Sequence, residues 1–209
     1  GPWEHGQWGS GRANNVGNIY WGEDANKHFQ EYEVKFFDYY LRGIGTGNFS
    51  EASIFITGRN KWETFNEWPP INTTDQNIFF KESGKLDFSV TQIDESFDEY
   101  ISDPSKPVPY YDKIHKNRDA AYMTADQRIA SHRPDVLVYQ TNILQKKITV
   151  TGPILADLYV ATTGTDADLI VKLIDVFPED TVATYGEDIQ VPLGGYQMLV
   201  RGEVFRGKF

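Results

Sequence analysis

The chain has no cysteine, which removes disulfide staples, thiolate zinc sites and cysteine nucleophiles together. That absence fits a cytoplasm or a bacterial periplasm and does not choose between them. Methionine is nearly as scarce, with only Met123 and Met198, so an adaptable Met-lined groove is not expected. Positive charge is short: 20 basic residues face 30 acidic ones, for a net charge of −10. Such a surface repels phosphate backbones, and no basic stripe offsets it, so no nucleic-acid partner is expected. No apolar run approaches about 18 residues, so no membrane span is expected. No basic start followed by an apolar stretch marks a signal peptide.

What is abundant is aromatic: 12 Tyr, 13 Phe and 5 Trp in 209 residues, which suits strands and sandwich cores. The length allows one sizeable core with an appendage. Residues 1–25 are rich in Gly, Asn and Trp without any period and read as loop. A helix is predicted over 26–42, where Phe29, Tyr32, Phe36 and Tyr40 recur at steps of three and four, widened by Phe37 and Leu41. Asp24 or Asn26 can cap its start, and Gly43 stands where a left-handed C-terminal cap belongs. So broad an aromatic stripe predicts a helix buried against a large body. From residue 52 the pattern becomes stranded, with strands predicted over 52–58, 77–80, 86–91, 136–139, 147–151, 154–162, 169–177 and 196–205. No helical pattern of useful length separates the later ones, which points to an antiparallel sandwich of the jelly-roll kind. Residues 103–111 form a proline-punctuated loop expected to be extended. A strand pattern that runs up to Phe209 leads us to expect truncation at both ends.

Chemistry-bearing residues are few. His5, in a Gly-flanked loop beside two tryptophans, fits a general base or a partly exposed histidine with no role; spacing alone leaves both open. The Gly-x-Ser-x-Gly elbow of a serine hydrolase is absent. Ser10 is the nearest imitation, but no strand precedes it and no helix follows at once, so a turn serine is the better reading. His28 reads as a solvated or packed helix residue. His115 and His132 lack ligand-like spacing, and no metal is expected. Asp166 and Asp168 faintly suggest a calcium loop, which a turn leading into a strand explains better. The acidic run 94–103 reads as a solvated face. Asn48 and Asn72 begin glycosylation sequons, relevant only in a eukaryotic secretory protein.

Several stretches, in order along nearly the whole chain, resemble the bacterial acyl-esterase family. That family includes α-amino-acid ester hydrolases, cephalosporin acylases, cocaine-esterase-like enzymes and Xaa-Pro dipeptidyl-peptidases. Gly1-Pro2-Trp3-Glu4-His5-Gly6-Gln7 resembles its histidine loop, and Phe37-Asp38-Tyr39-Tyr40-Leu41-Arg42-Gly43 the helix end that follows. Further matches are Thr57 to Trp62, Trp68-Pro69-Pro70, Tyr100 to Tyr110, Asp126-Gln127-Arg128, Arg133 to Tyr139, Val171 to Val176, and Leu199 to Gly207. The likeness is strongest to α-amino-acid ester hydrolases.

The resemblance implies a mainly β chain: a galactose-binding-like jelly-roll over 51–209, incomplete at its C-terminus. Ahead of it, residues 1–50 would be the histidine loop and last helix of an α/β-hydrolase domain. It implies that His5 is the triad base, with the serine, the aspartate and the oxyanion tyrosine upstream. It implies that Tyr110 and Tyr111 face the active site from the jelly-roll side, although sandwich-edge packing accounts for them equally well. Its expected partners are the missing hydrolase and cap segments and a small acyl-ester, amide or β-lactam-type substrate, with no cofactor and with a homo-oligomer left open. It favours a periplasmic or secreted location over the cytoplasm. The competing reading is a free-standing jelly-roll that binds carbohydrate or protein without catalysis, though such a module needs neither the histidine loop nor the helix. A complete small hydrolase built on Ser10 and His5 fails for want of an elbow.

Overall fold

The computed structural model describes residues 1–9, 11, 13–22, 25–90, 96–112, 114, 116, 117, 119–185 and 189–208. Ser10, Asp24, His115, Thr91 and the start of the acidic run at Asp94 lie outside the described residues. The described chain is mainly strand with few helices. No helix among the described residues is long and apolar enough to cross a membrane.

After a short 3-10 turn at Gln7–Gly9, a small ribbon pairs β1 (Asn15–Val16) with β2 (Ile19–Tyr20). The single long helix, α1 (Ala25–Arg42), follows. It ends where expected: Gly43 takes φ 67°, and the Gly43 and Ile44 N–H groups return to the carbonyls of Tyr39 and Asp38. Only its first residues are buried. Its aromatic stripe is not covered as the sequence predicts: Tyr40 is 60 % and Leu41 76 % exposed, with Tyr32, Phe36 and Phe37 also exposed. Phe49 folds back on it, lying 5.6–6.0 Å from the rings of Tyr32, Phe36, Tyr39 and Tyr40.

The β part is a set of two-stranded antiparallel ladders. A hairpin joins β3 (Ala52–Ile56) to β4 (Lys61–Phe65), a strand the sequence did not announce. Next come β5 (Phe79–Lys81) and β6 (Lys85–Asp87). A further 3-10 turn, Ala120–Thr124, precedes the short α2 (Arg128–Ser131). The longest ladder pairs β7 (Asp166–Val176) with β10 (Gln197–Lys208), broken by a bulge between Leu199 and Arg201. Between them, β8 (Val182–Tyr185) pairs with β9 (Ile189–Pro192), also unannounced by the sequence. The predicted strands 169–177 and 196–205 thus fall largely on β7 and β10, partners in one ladder.

Three predicted strands form no ladder. At 136–139 the chain only reaches an isolated bridge between Gln140 and Lys85. Stretches 147–151 and 154–162 are extended and exposed, with Leu155 at 90 % and Tyr159 at 101 %. Their period-two pattern is genuine: Ile148, Val150, Ile154, Leu158 and Val160 all fall on even positions. Strand preference expresses packing against neighbours, and no strand among the described residues lies beside them.

The core gathers Ile19, Trp21, Phe55, Leu193 and Tyr196, flanked by Trp62, Phe177, Ala183, Val191 and Met198. It sits where the N-terminal ribbon, the β3–β4 hairpin and the β9–β10 turn meet. The Tyr196 hydroxyl donates to the Thr124 carbonyl there, and the Thr124 hydroxyl donates to Val16 O at 3.0 Å, tying the ribbon to the 3-10 turn. The exposed surface is 16446 Å². A compact monomer of 23.9 kDa would expose about 9,900 Å², so a large area of this chain is left without cover. Truncating Phe55 to Ala should therefore cost about 3 kcal/mol, whereas Leu155→Ala should change stability by less than about 0.5 kcal/mol. Urea denaturation midpoints check both.

Candidate active-site loop

His5 sits at the exposed tip of the first loop, with its ring edge-on to Trp8 at 5.6 Å and 87°. Gly6 has φ 85°, a conformation that L side chains avoid, so glycine is needed for the backbone and not for space. The loop is held from its own side chains. The Glu4 N–H donates to Gln7 Oε1 at 3.0 Å, and Gln7 Nε2 donates to Asn15 O at 3.1 Å. Two backbone bonds, Gln7 N to Glu4 O and Gly9 N to Gly6 O, close the turn around the histidine. No hydrogen bond fixes the imidazole itself among the described residues, so both ring nitrogens remain available.

Asn26 is the buried fastener. It is not the helix cap that the sequence suggested but the second residue of α1, and it is 1 % exposed. Its Nδ2 donates to the Gln7 carbonyl at 2.8 Å and also to the Gly11 carbonyl. A helix residue thereby fixes both ends of the histidine loop. Trp3 supplies the apolar hold, packing between Phe29 of α1 at 5.7 Å and Trp62 of β4 at 5.6 Å.

His28 is packed, one of the two readings left open from sequence. Its ring stacks on Trp62 at 4.3 Å and 11°, and Nε2 lies 2.9 Å from Ser53 Oγ. Burial is the main cause that holds its pKa below the ordinary histidine value; nearby Glu31 opposes this and Lys35 adds to it. His132 closes α2, with Nδ1 2.7 Å from the Arg128 carbonyl. Asp168 lies in β7 and is bound to Arg206 at 2.7 Å, so this acid of the faint calcium pattern is spent on an ion pair.

Tyr110 and Tyr111 diverge. Tyr110 packs against Tyr122 at 6.0 Å, and Lys172 Nζ stands 4.7 Å from its ring centroid. Burial pushes its phenol pKa up, and Tyr122 adds to this. The Tyr111 hydroxyl instead donates to Asp119 Oδ2 at 3.1 Å, while Asp119 Oδ1 caps the 3-10 turn through Ala121 N. His5 and Tyr110 share no hydrogen bond or ring contact. What links them is a relay of structure: Gln7 to Asn15, Val16 to Thr124, and Tyr122 to Tyr110. The loop 103–111, expected to be extended, begins instead with a turn in which the Lys106 N–H donates to the Asp103 carbonyl at 2.9 Å. Arg133 Nη2 donates to the Lys106 carbonyl at 3.0 Å, and Arg133 is itself paired with Asp135.

Two predictions follow from this geometry. Asn26→Ala should speed hydrogen exchange at Gln7 and Gly9 and cost about 1–3 kcal/mol, since buried carbonyls lose their donor. For His28, a depressed folded pKa means that the unfolded chain binds the proton more readily. Stability should be fully present above about pH 6.5 and fall as pH drops from there through the folded value. His28→Gln should flatten that part of a denaturation-midpoint profile.

The chain is similar to several known proteins. Residues 41–203 match the family described as the X-Pro dipeptidyl-peptidase C-terminal non-catalytic domain. The cocaine esterase of a Rhodococcus species is 31% identical over 192 residues, 86% of this chain and 33% of that protein. A Mycobacterium bovis protein named as a serine esterase is 24% identical over 186 residues, 88% of this chain and 28% of that protein. The crystal structure of an aminopeptidase from a marine-sediment Thaumarchaeota archaeon superposes with a TM-score of 0.87 at 34% identity. It covers 99% of this chain and 34% of its own. The chain thus spans about a third of the length of the relatives that it matches. Through residues 41–203 it belongs to the X-Pro dipeptidyl-peptidase C-terminal non-catalytic domain family.

Proposed function

We propose that the chain is the C-terminal portion of a serine hydrolase that cleaves esters or amides, with His5 as its general base. The observation that carries this reading is the position of His5: exposed, unfixed at both ring nitrogens, and at the tip of a loop held by a buried amide. Family membership and the esterase names of the relatives support it. In this reading an upstream serine attacks the acyl carbonyl while His5 takes its hydroxyl proton. His5 then passes the proton to the leaving oxygen or nitrogen, and an acyl-serine ester remains. Water attacks that ester, gives a proton to His5, and the serine regains it as the acid departs. An upstream aspartate would hold the imidazole in the needed tautomer.

The open aromatic face of α1 is read as the seat of the upstream hydrolase part, because Tyr40 and Leu41 are the kind of surface that a domain interior covers. The β part is read as a jelly-roll in which stretch 147–162 pairs with strands outside this sequence. Tyr110 and Tyr111 are read as lining the acyl side, Tyr110 by its ring and Tyr111 through the turn that it braces.

The test compares this 209-residue chain with a longer one that includes the upstream nucleophile. Substrates are 4-nitrophenyl acetate and an α-amino-acid ester. The longer chain should turn over at least one, His5→Ala should lower its kcat by about 10⁴-fold or more, and the short chain should be inert. His5-independent turnover by the longer chain would contradict the base assignment.

A further inference from the structure

Lys172 lies mid-strand in β7 opposite Gly202 of β10. Its stem runs over that glycine: a Cβ at Gly202 would stand 3.4 Å from Lys172 Cγ, so the missing side chain leaves the stem its path. Nζ then donates to Gln127 Oε1 at 2.6 Å and stands 4.7 Å from the Tyr110 ring centroid. Gln127 is itself 2 % exposed and doubly held, its N–H donating to Gln197 O at 3.1 Å and its Nε2 to Ala125 O at 2.9 Å. A buried amide and an aromatic face thus fix the ammonium in place.

No acid does so among the described residues. The carboxylates on the elements around it are engaged elsewhere or face away. Asp168 pairs with Arg206, Asp126 with Arg128, and Glu203 with Arg201. Asp175 lies an odd step along β7 and so on its other face. The remaining groups that face Lys172 are the Tyr110 phenol, backed by Tyr122, and the Gln127 amide. In a chain with 30 acids to 20 bases, a half-buried lysine without a carboxylate among the described residues is out of keeping with its surroundings. Removing an ammonium from water without a counter-charge is costly. Burial accordingly holds its pKa below the ordinary lysine value. Of its three protons, Gln127 takes one and the Tyr110 ring faces another, which leaves one for a further acceptor.

We propose that Lys172, framed by Tyr110 and Gln127, is a carboxylate-binding position. The carboxylate belongs either to the ester or amide substrate or to an acidic side chain of the rest of the parent chain. The substrate source rests on the hydrolase reading above; the side-chain source does not need catalysis.

The experiment uses the full parent chain as wild type, Lys172→Met and Lys172→Arg. It measures kcat/KM for the 4-nitrophenyl ester of butyrate and for the singly charged 4-nitrophenyl hemi-ester of glutarate. Urea midpoints are taken near pH 7 and at about pH 3.5, on either side of the carboxylate range. If substrate supplies the carboxylate, Lys172→Met lowers the glutarate-to-butyrate ratio about tenfold and Lys172→Arg restores it. The midpoint difference from wild type is then the same at both pH values. If the parent supplies it, the ratio holds and the midpoint difference shrinks at the lower pH. A carboxylate paired with an ammonium has a lowered folded pKa, so its contribution is present above the unfolded value and lost as pH falls through the folded one. A ratio within about twofold of wild type, together with a pH-independent midpoint difference, overturns the proposal. Failure of the wild type to hydrolyse the butyrate ester would instead sink the hydrolase reading and leave the urea data to decide on Lys172.

Discussion

Three elements meet on the Trp62 indole, and most of what is ordered around His5 depends on that meeting. Trp3 brings the histidine loop to it, His28 brings α1, and Phe55, 5.6 Å away, brings the β3 strand and through it the core. None of these contacts is strong alone; aromatic pairs contribute roughly 0.5–1.5 kcal/mol each beyond the area they bury. Together they fix the angle at which α1 leaves the β body. Asn26 then converts that angle into a position for the loop, because its amide reaches the Gln7 and Gly11 carbonyls only from the first turn of the helix. The candidate base is therefore positioned from the β domain, through a tryptophan and an amide.

The same molecule is poorly closed elsewhere. The core is one small cluster, α1 shows solvent an aromatic stripe, and stretch 147–162 runs extended with its apolar residues uncovered. The outer face of α1 and the stretches 147–151 and 154–162 carry apolar residues that little among the described residues covers.

The helix was legible because its signals are local: steps of three and four in Phe29, Tyr32, Phe36 and Tyr40, and Gly43 at its end. Strands β7 and β10, though not their pairing, were legible because both are long and rich in strand-forming residues. The β8–β9 pair was not, since Val182-Ala183-Thr184-Tyr185 and Ile189-Gln190-Val191-Pro192 are short and flanked by acids and a proline. Strands over 136–139 and 147–162 were expected from a pattern that is present, yet a ladder needs a second strand, and sequence period says nothing of whether one is at hand. Asn26 reads as a cap from sequence because caps are where asparagine usually serves near a helix start; its true partners are 15 and 19 residues back and have no local signal. Lys172 had none either, as a lysine in a strand ordinarily reads as a solvated one. The histidine loop was recognised through resemblance. Its geometry adds the reason for the residues around His5: Trp3 for packing between Phe29 and Trp62, Gly6 for its positive φ, and Gln7 for the turn.

We propose that the α1 face and the His5 loop are completed by a hydrolase part of the same parent chain. Hydroxyl-radical footprinting of Phe36, Tyr40, Leu41 and Trp8 in the 209-residue chain and in the full parent tests it directly. The account predicts heavy labelling of Phe36, Tyr40 and Leu41 in the short chain and strong protection in the parent, with Trp8 less affected at the mouth of the site. Equal labelling of the helix residues in both would contradict it.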